Sequence, residues 1–159
     1  SWFGSAQAVD LDLGCMLELR SGAKDVVQAL GKRFGQLHAP PYVQLMGDDR
    51  SGDSSGGEDL RINGAHWDEF KRIVIFAFIY EGVPNWAAAD GVVKIRAPGQ
   101  PELIVRLDSH SNHHGMCAIA ALENEDGRIK VSKLVDYYDG HKALDRAHGF
   151  GFNWVAGSK

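Results

Sequence analysis

Cysteine is scarce in this sequence: Cys15 and Cys117 are the only two. A pair of distant thiols makes no disulfide framework and fits a reducing compartment. Prolines number five, and no linker, internal repeat or low-complexity tract breaks the chain. Long apolar runs are missing too. Ile73 to Tyr80 is the longest, far below the roughly 18 residues a membrane helix needs, and it suits a buried strand. No cluster of Lys and Arg occurs, and the net charge is −4. That excludes a basic nucleic-acid surface and removes the usual means of docking on anionic lipid. No Ser-His-Asp arrangement is visible. No secretory leader is visible either, although the chain opens at Ser1 rather than at a methionine, and cytoplasm is the expected location.

What is there is an ordinary globular composition, 44% hydrophobic and 24% charged over 159 residues. Such a chain can bury a substantial core, and one domain over 1–159 is the simplest organisation. The dominant pattern is short apolar segments separated by turn residues. In "VDLDLGCMLEL" the residues Val9, Leu11, Leu13, Cys15, Leu17 and Leu19 share one face; Asp10, Asp12, Gly14, Met16 and Glu18 share the other. A period of two predicts a half-buried strand. "YVQLM" at 42–46 and "LRIN" after it read as further strands, and "RIVIFAFIY" at 72–80 as one buried on both faces. "GAHWDEFK" between them suggests a single helical turn. "GVVKIR", "ELIVRL", "GMCAIAALE" and "GRIKVSKLV" continue the series, with Pro98–Gly99 and "NEDG" at 124–127 as hairpin turns. Only "GHKALDRAH" reads as a helix, capped by Asp139 and stopped by Gly149. About eight strands at 8–15-residue spacing predict an all-β, antiparallel sandwich or barrel with one or two short helices.

The acidic segment "GDDRSGDSSGGEDLRI" is where chemistry concentrates. Between Gly47 and Asp59, five carboxylates (Asp48, Asp49, Asp53, Glu58, Asp59) face only Arg50, leaving a net −4 equal to that of the whole chain. Either the loop is a solvated connection, or the carboxylates share a cation. Carboxylate and carbonyl oxygen without His or Cys is the donor set of a hard ion such as Ca²⁺. The EF-hand pattern does not fit, since a start at Asp49 puts Ser54 at the required glycine and Leu60 at the final acid. Further ligands must then come from elsewhere, and Asp10 and Asp12 are suited: on one strand face they stand about 6–7 Å apart.

Together, "VDLDLGCMLEL" and "GDDRSGDSSGGEDLRI" resemble the TerD-domain family of tellurium-resistance and stress-response proteins. That family carries a D-x-D-L strand and a loop of the form GDN-x-TG-x-G-x-GDDE. The resemblance runs on through "RIVIFAFIYEG", "NWAAADGVVKIRAP" and "GMCAIAALENEDGRIKVSKL", and the closing "GFGFNWVAGSK" is most like the TerA branch. It implies a β-sandwich binding calcium at acidic loops, one or two ions, in a bacterial tellurite-resistance system with no established enzymatic activity. Partners would be other proteins of that system. By position, Asp10 and Asp12 match the strand aspartates, Asp48 the aspartate of GDN, and Ser51–Gly52 the TG pair. Asp49 stands where the family has asparagine, Ser54 replaces a glycine, Ser55 replaces an often acidic residue, and Asp53 keeps its acid. The DDE becomes Gly57–Glu58–Asp59, one carboxylate fewer, which implies one site at full strength rather than two.

Other candidates carry less. His110, His113 and His114 in "DSHSNHHG" lack the convergent geometry zinc requires and read as a hairpin loop. Asp108, Glu81, Asn85 and Asp90 are oxygen donors in loops that could join the acidic end. Trp86 reads as a packing anchor, Cys15 and Cys117 as buried small hydrophobes, and His66 and His141 as isolated surface residues. The aromatic tail is either a partner surface or a closing strand. Two functions compete: a non-enzymatic calcium-binding module, or a metal-dependent hydrolase using the same carboxylates.

Overall fold

A computed structural model of the chain describes residues 4–8, 11–48, 58–79, 86–89, 91–107 and 114–155. Among these, the strands are β1 (Gly4–Ala8), β2 (Asp12–Leu19), β3 (Lys24–Gln28), β4 (Gly35–Gln36), β5 (Val43–Asp48) and β6 (Glu58–Ile62). They continue with β7 (Phe70–Phe78), β8 (Gly91–Arg96), β9 (Leu103–Leu107), β10 (Met116–Glu125) and β11 (Arg128–Tyr138). The α-helical segments are α1 (Trp86–Ala89) and α2 (His141–His148). The strands form a six-stranded sheet in the order β4-β5-β6-β1-β8-β9 and a five-stranded sheet in the order β11-β10-β7-β2-β3. Every pairing is antiparallel. The expected all-β sandwich is what forms.

Alternation places Leu13, Cys15 and Leu17 of β2 against Leu60, Val93 and Val105 of the other sheet, all fully buried in the core between the layers. The opposite face of β2 corrects the sequence reading. Met16 is fully buried as well, in a second apolar cluster with Phe76, Phe78, Met116, Leu144 and Phe150. Helix α2 and the tail behind it cover the outside of the five-stranded sheet, so β2, like β7, is buried on both faces. Gly14 belongs to this arrangement: a Cβ there would stand 2.7 Å from the Phe76 ring and from the Val27 carbonyl oxygen. The missing side chain lets Phe76 lie over the strand.

Two turns follow the local chemistry of their residues. Glu125 pairs with Arg128, leaving Asp126 and Gly127 as a two-residue loop with φ of 52° and 88°. Two consecutive positive φ values are what a type I′ hairpin requires, and Asp-Gly supplies them. Gly149 ends α2 in the left-handed conformation, as expected. Asp139 does not cap that helix. The N-cap is Gly140 without a side-chain bond, and Asp139 instead lies 3.5 Å from His114 Nε2.

Other elements also differ from expectation. "GAHWDEFK" contains a six-residue 3-10 segment, Gly64–Glu69, opened by Asn63, whose side chain accepts from Ala65 N. Trp86 to Ala89, expected in a loop, forms a helical turn. Strands β1, β3 and β4 are additional to those expected. The tail through Val155 forms no strand; it packs on α2 and the outer sheet face. Among the described residues no helix is long and apolar enough to cross a membrane.

Candidate metal centre

Strand pairing carries the two acidic segments to one end of the sandwich. Asp48, the last residue of β5, lies opposite Glu58, the first of β6. Glu58 is also opposite Ala8, the last residue of β1, and after Ala8 the chain passes to β2 in the other sheet. There Asp12 is the first strand residue, opposite Phe78. Glu58 spans the gap: its side chain is 8% exposed, and Oε1 accepts from Leu13 N at 2.6 Å. A carboxylate from the acidic segment is thus tied to the backbone beside Asp12.

Glu58 and Asp59 take opposite faces of β6, because neighbouring residues on a strand alternate. Glu58 is buried with Leu60 and Ile62. Asp59 shares its face with Arg61, whose Nε donates to Asp59 Oδ2 at 2.8 Å. The other oxygen, Asp59 Oδ1, is buried and has no hydrogen-bond partner among the described residues. A buried carboxylate oxygen left bare is costly, and such atoms are normally satisfied by a donor, a water or an ion. The chemistry of these donors fits a hard cation. Among the described residues no three His, Cys, Asp or Glu side chains gather as a metal site. Asp10, Asp49 and Asp53 lie outside the described residues, as do Glu81, Asn85, Asp90, Asp108, His110 and His113.

The thiols offer no alternative chemistry. Both are free and buried. Burial, with Asp25 adding to it, pushes the Cys15 thiol far up. Cys117 is pushed up to about 12 by burial and the charge of Asp136. Neither supplies the thiolate a nucleophile needs. Trp86 is the expected anchor: fully buried, with Nε1 donating to His114 O at 2.7 Å. His66 stacks on Tyr42 at 4.0 Å and lies 2.6 Å from Glu69 Oε2.

His141 corrects the sequence reading. It is not an isolated surface residue but sits over Phe76 and Phe78, with Nε2 2.6 Å from Gln28 Oε1. Burial lowers its pKa to about 4. Gln28 and Asp145, 4% exposed each, escape the sequence reading altogether. Their only sequence signal is a polar residue beside an apolar run, which marks most strand and helix ends equally.

Comparison with known proteins agrees with this architecture. No family model matches the chain. A "Tellurium resistance protein TerA" from Alcaligenes sp is 51% identical over 157 residues, covering 99% of this chain and 46% of that protein. The chain therefore spans about half the length of the curated relative it matches. Among solved structures, a protein of unknown function superposes with a TM-score of 0.63 at 15% identity, over 95% of this chain and 99% of the other. A homologue of the telluride resistance protein TerD from Streptomyces coelicolor A3(2) gives 0.63 at 15%, over 94% and 98%. At that identity the two structures speak for the fold alone. With the acidic motifs, the sandwich topology and the identity across 99% of its residues taken together, the chain is similar to the tellurium-resistance protein TerA over nearly its whole length and shares the fold of the TerD homologue.

Proposed function

We propose that this chain is a calcium-binding module of a bacterial tellurium-resistance and stress-response system, acting through other proteins of that system rather than as an enzyme. One observation carries the reading. Glu58, at the end of the acidic segment, is bonded to Leu13 N, which draws loop and D-x-D strand to one place. Asp12, Asp48 and Glu58 then share one end of the sandwich, with Asp10, Asp49 and Asp53 each within five residues of one of them in sequence. The bare Oδ1 of Asp59, on the other face of β6, is a ligand for a second ion or an acceptor for the loop around the first.

Oxygen-only donors favour Ca²⁺, while Mg²⁺ demands a compact octahedron and keeps its waters. On protein stripped with chelator, calorimetric titration is expected to show Ca²⁺ binding at least about tenfold more tightly than Mg²⁺. Equal affinities, or a preference for Zn²⁺, would overturn the proposal. Metal-dependent turnover in an ester and phosphoester hydrolase screen would instead favour the enzymatic alternative.

A further inference from the structure

The outer face of the five-stranded sheet holds a cavity of about 450 Å³ that the calcium reading does not use. Its floor is Val26 and Gln28 of β3, and its walls are the turn carrying Arg33 and the tail residues Phe152 and Trp154, with His141 between. No carboxylate lines it among the described residues. The aromatic wall is fixed in advance: Trp154 Nε1 donates to Asp145 Oδ2 at 2.8 Å, and its ring lies 5.1 Å from that of His141.

Gln28 offers the cavity a hydrogen-bond donor. It is 4% exposed, and its Oε1 faces His141 Nε2. Burial keeps that imidazole neutral at neutral pH, and because the Gln28 oxygen faces Nε2, the tautomer that fits carries its hydrogen there and Gln28 Oε1 accepts. The amide nitrogen of Gln28 then has no acceptor among the described residues, and it belongs to a side chain lining the cavity. That nitrogen is not sealed from solvent, so it stands as a donor open to whatever occupies the cavity. Arg33 places a guanidinium at the same wall, its Nε on Val26 O and its Nη2 paired with Asp25 Oδ1, which offsets part of its charge. A flat apolar wall, a spare donor and a guanidinium, with no lining acid, select against cations.

We propose that this cavity binds a small aromatic carboxylate, its ring against Trp154 and Phe152 and its oxygens toward the Gln28 amide and Arg33. The volume falls in the usual range for ligand sites and accommodates a bicyclic ring.

The test uses 2-naphthoate as probe, with 2-naphthylmethylamine as its cationic counterpart, on the 159-residue chain. Calorimetry and NMR are run in excess chelator, so that the result stands apart from calcium binding. Expected is a Kd below about 1 mM for the acid, with shifts at the Trp154 indole N–H and the Gln28 side-chain amide. Gln28→Leu and Arg33→Gln should each weaken binding by about tenfold or more. The Arg33 side chain is 57% exposed, so Arg33→Gln remains folded and decisive even if Gln28→Leu does not. No shift at Trp154 or Gln28 up to about 5 mM acid, equal binding of the amine, or unchanged binding by Arg33→Gln would overturn the proposal.

Discussion

Asp145 shows how much a single buried carboxylate organises. Its Oδ1 accepts from Gly151 N at 2.7 Å, and its Oδ2 from Phe152 N and Trp154 Nε1, each at 2.8 Å. Burial alone would raise its pKa, but these donors outweigh burial and hold it below the usual carboxylate range. Arg72 fastens the same region from the sheet, pairing with Glu18 at 2.9 Å, donating to His148 O at 2.6 Å and lying 3.9 Å over the Phe150 ring. Asp145→Asn turns one acceptor into a donor that faces backbone N–H groups. The expected loss is about 2–4 kcal/mol, a melting temperature lower by about 5–12 °C, with the tryptophan emission shifted to the red. A melt within a degree or so of wild type would show that the tail is not held this way. At the acidic end, Asp12→Ala and Asp48→Ala should each remove most of the calcium affinity in calorimetry. If only Asp48→Ala matters, Asp12 is simply an acid on a strand face.

At the scale of elements, two glycines with similar backbones should respond differently to substitution. Gly35 and Gly127 have φ of 77° and 88°, a region L-residues enter at a cost of about 1 kcal/mol or more. Around Gly127 nothing lies within 4 Å of an added Cβ. At Gly35 the same atom would collide with the Val43 carbonyl oxygen, part of the β4–β5 pairing. Gly127→Ala should therefore cost about 1 kcal/mol, and Gly35→Ala at least about 3 kcal/mol, because backbone must move. Urea unfolding of the two variants checks the order. Equal losses would mean that β4 yields freely to β5.

The whole molecule should respond to acid and to calcium. His141 has a folded pKa of about 4, set by burial, against roughly 6.5 in an unfolded chain. The unfolded state takes up the proton first, so the stability this residue contributes is present above pH 6.5 or so and is lost as pH falls toward 4. His148, lowered by burial and then by Arg72, acts in the same direction. Glu18, held down chiefly by its hydrogen bond to Arg72, and Asp145 give way only at lower pH, as the medium passes through their depressed folded values. Melting temperatures should therefore fall from pH 7 to pH 4.5, by an amount corresponding to about 1–3 kcal/mol for His141. His141→Phe should flatten the curve in that window; an unchanged slope would remove His141 as the cause. For calcium, an ion bound only by the native arrangement adds about 2.7 kcal/mol at a hundredfold excess over Kd. The corresponding rise of roughly 5–10 °C should be reversed by chelator and only partly reproduced by salt, which screens repulsion without coordinating. A melt of stripped protein unchanged by millimolar calcium would leave the carboxylates gathered around water alone.

Features that depend on neighbours along the chain are legible in the sequence itself. Alternation locates β2, and an unbroken apolar run locates β7; Asp126–Gly127 and Gly149 mark a turn and a helix end; and the acidic motifs carry the resemblance to the TerD-domain family. Long-range contact decides the rest. "GSAQA" has no apolar period, yet it becomes β1 because β6 and β8 supply hydrogen bonds on either side, and pairing of that kind leaves no local trace. Whether the Met16 face of β2 meets water or protein depends on α2 folding back over it. The same fold-back brings His141 to Gln28, 113 residues away. Glu58 reaches Leu13 N only because two strands 45 residues apart end at the same edge of the sandwich. A carboxylate's type is written in the sequence, but its partner is chosen by whichever distant backbone the packed sheets bring within reach.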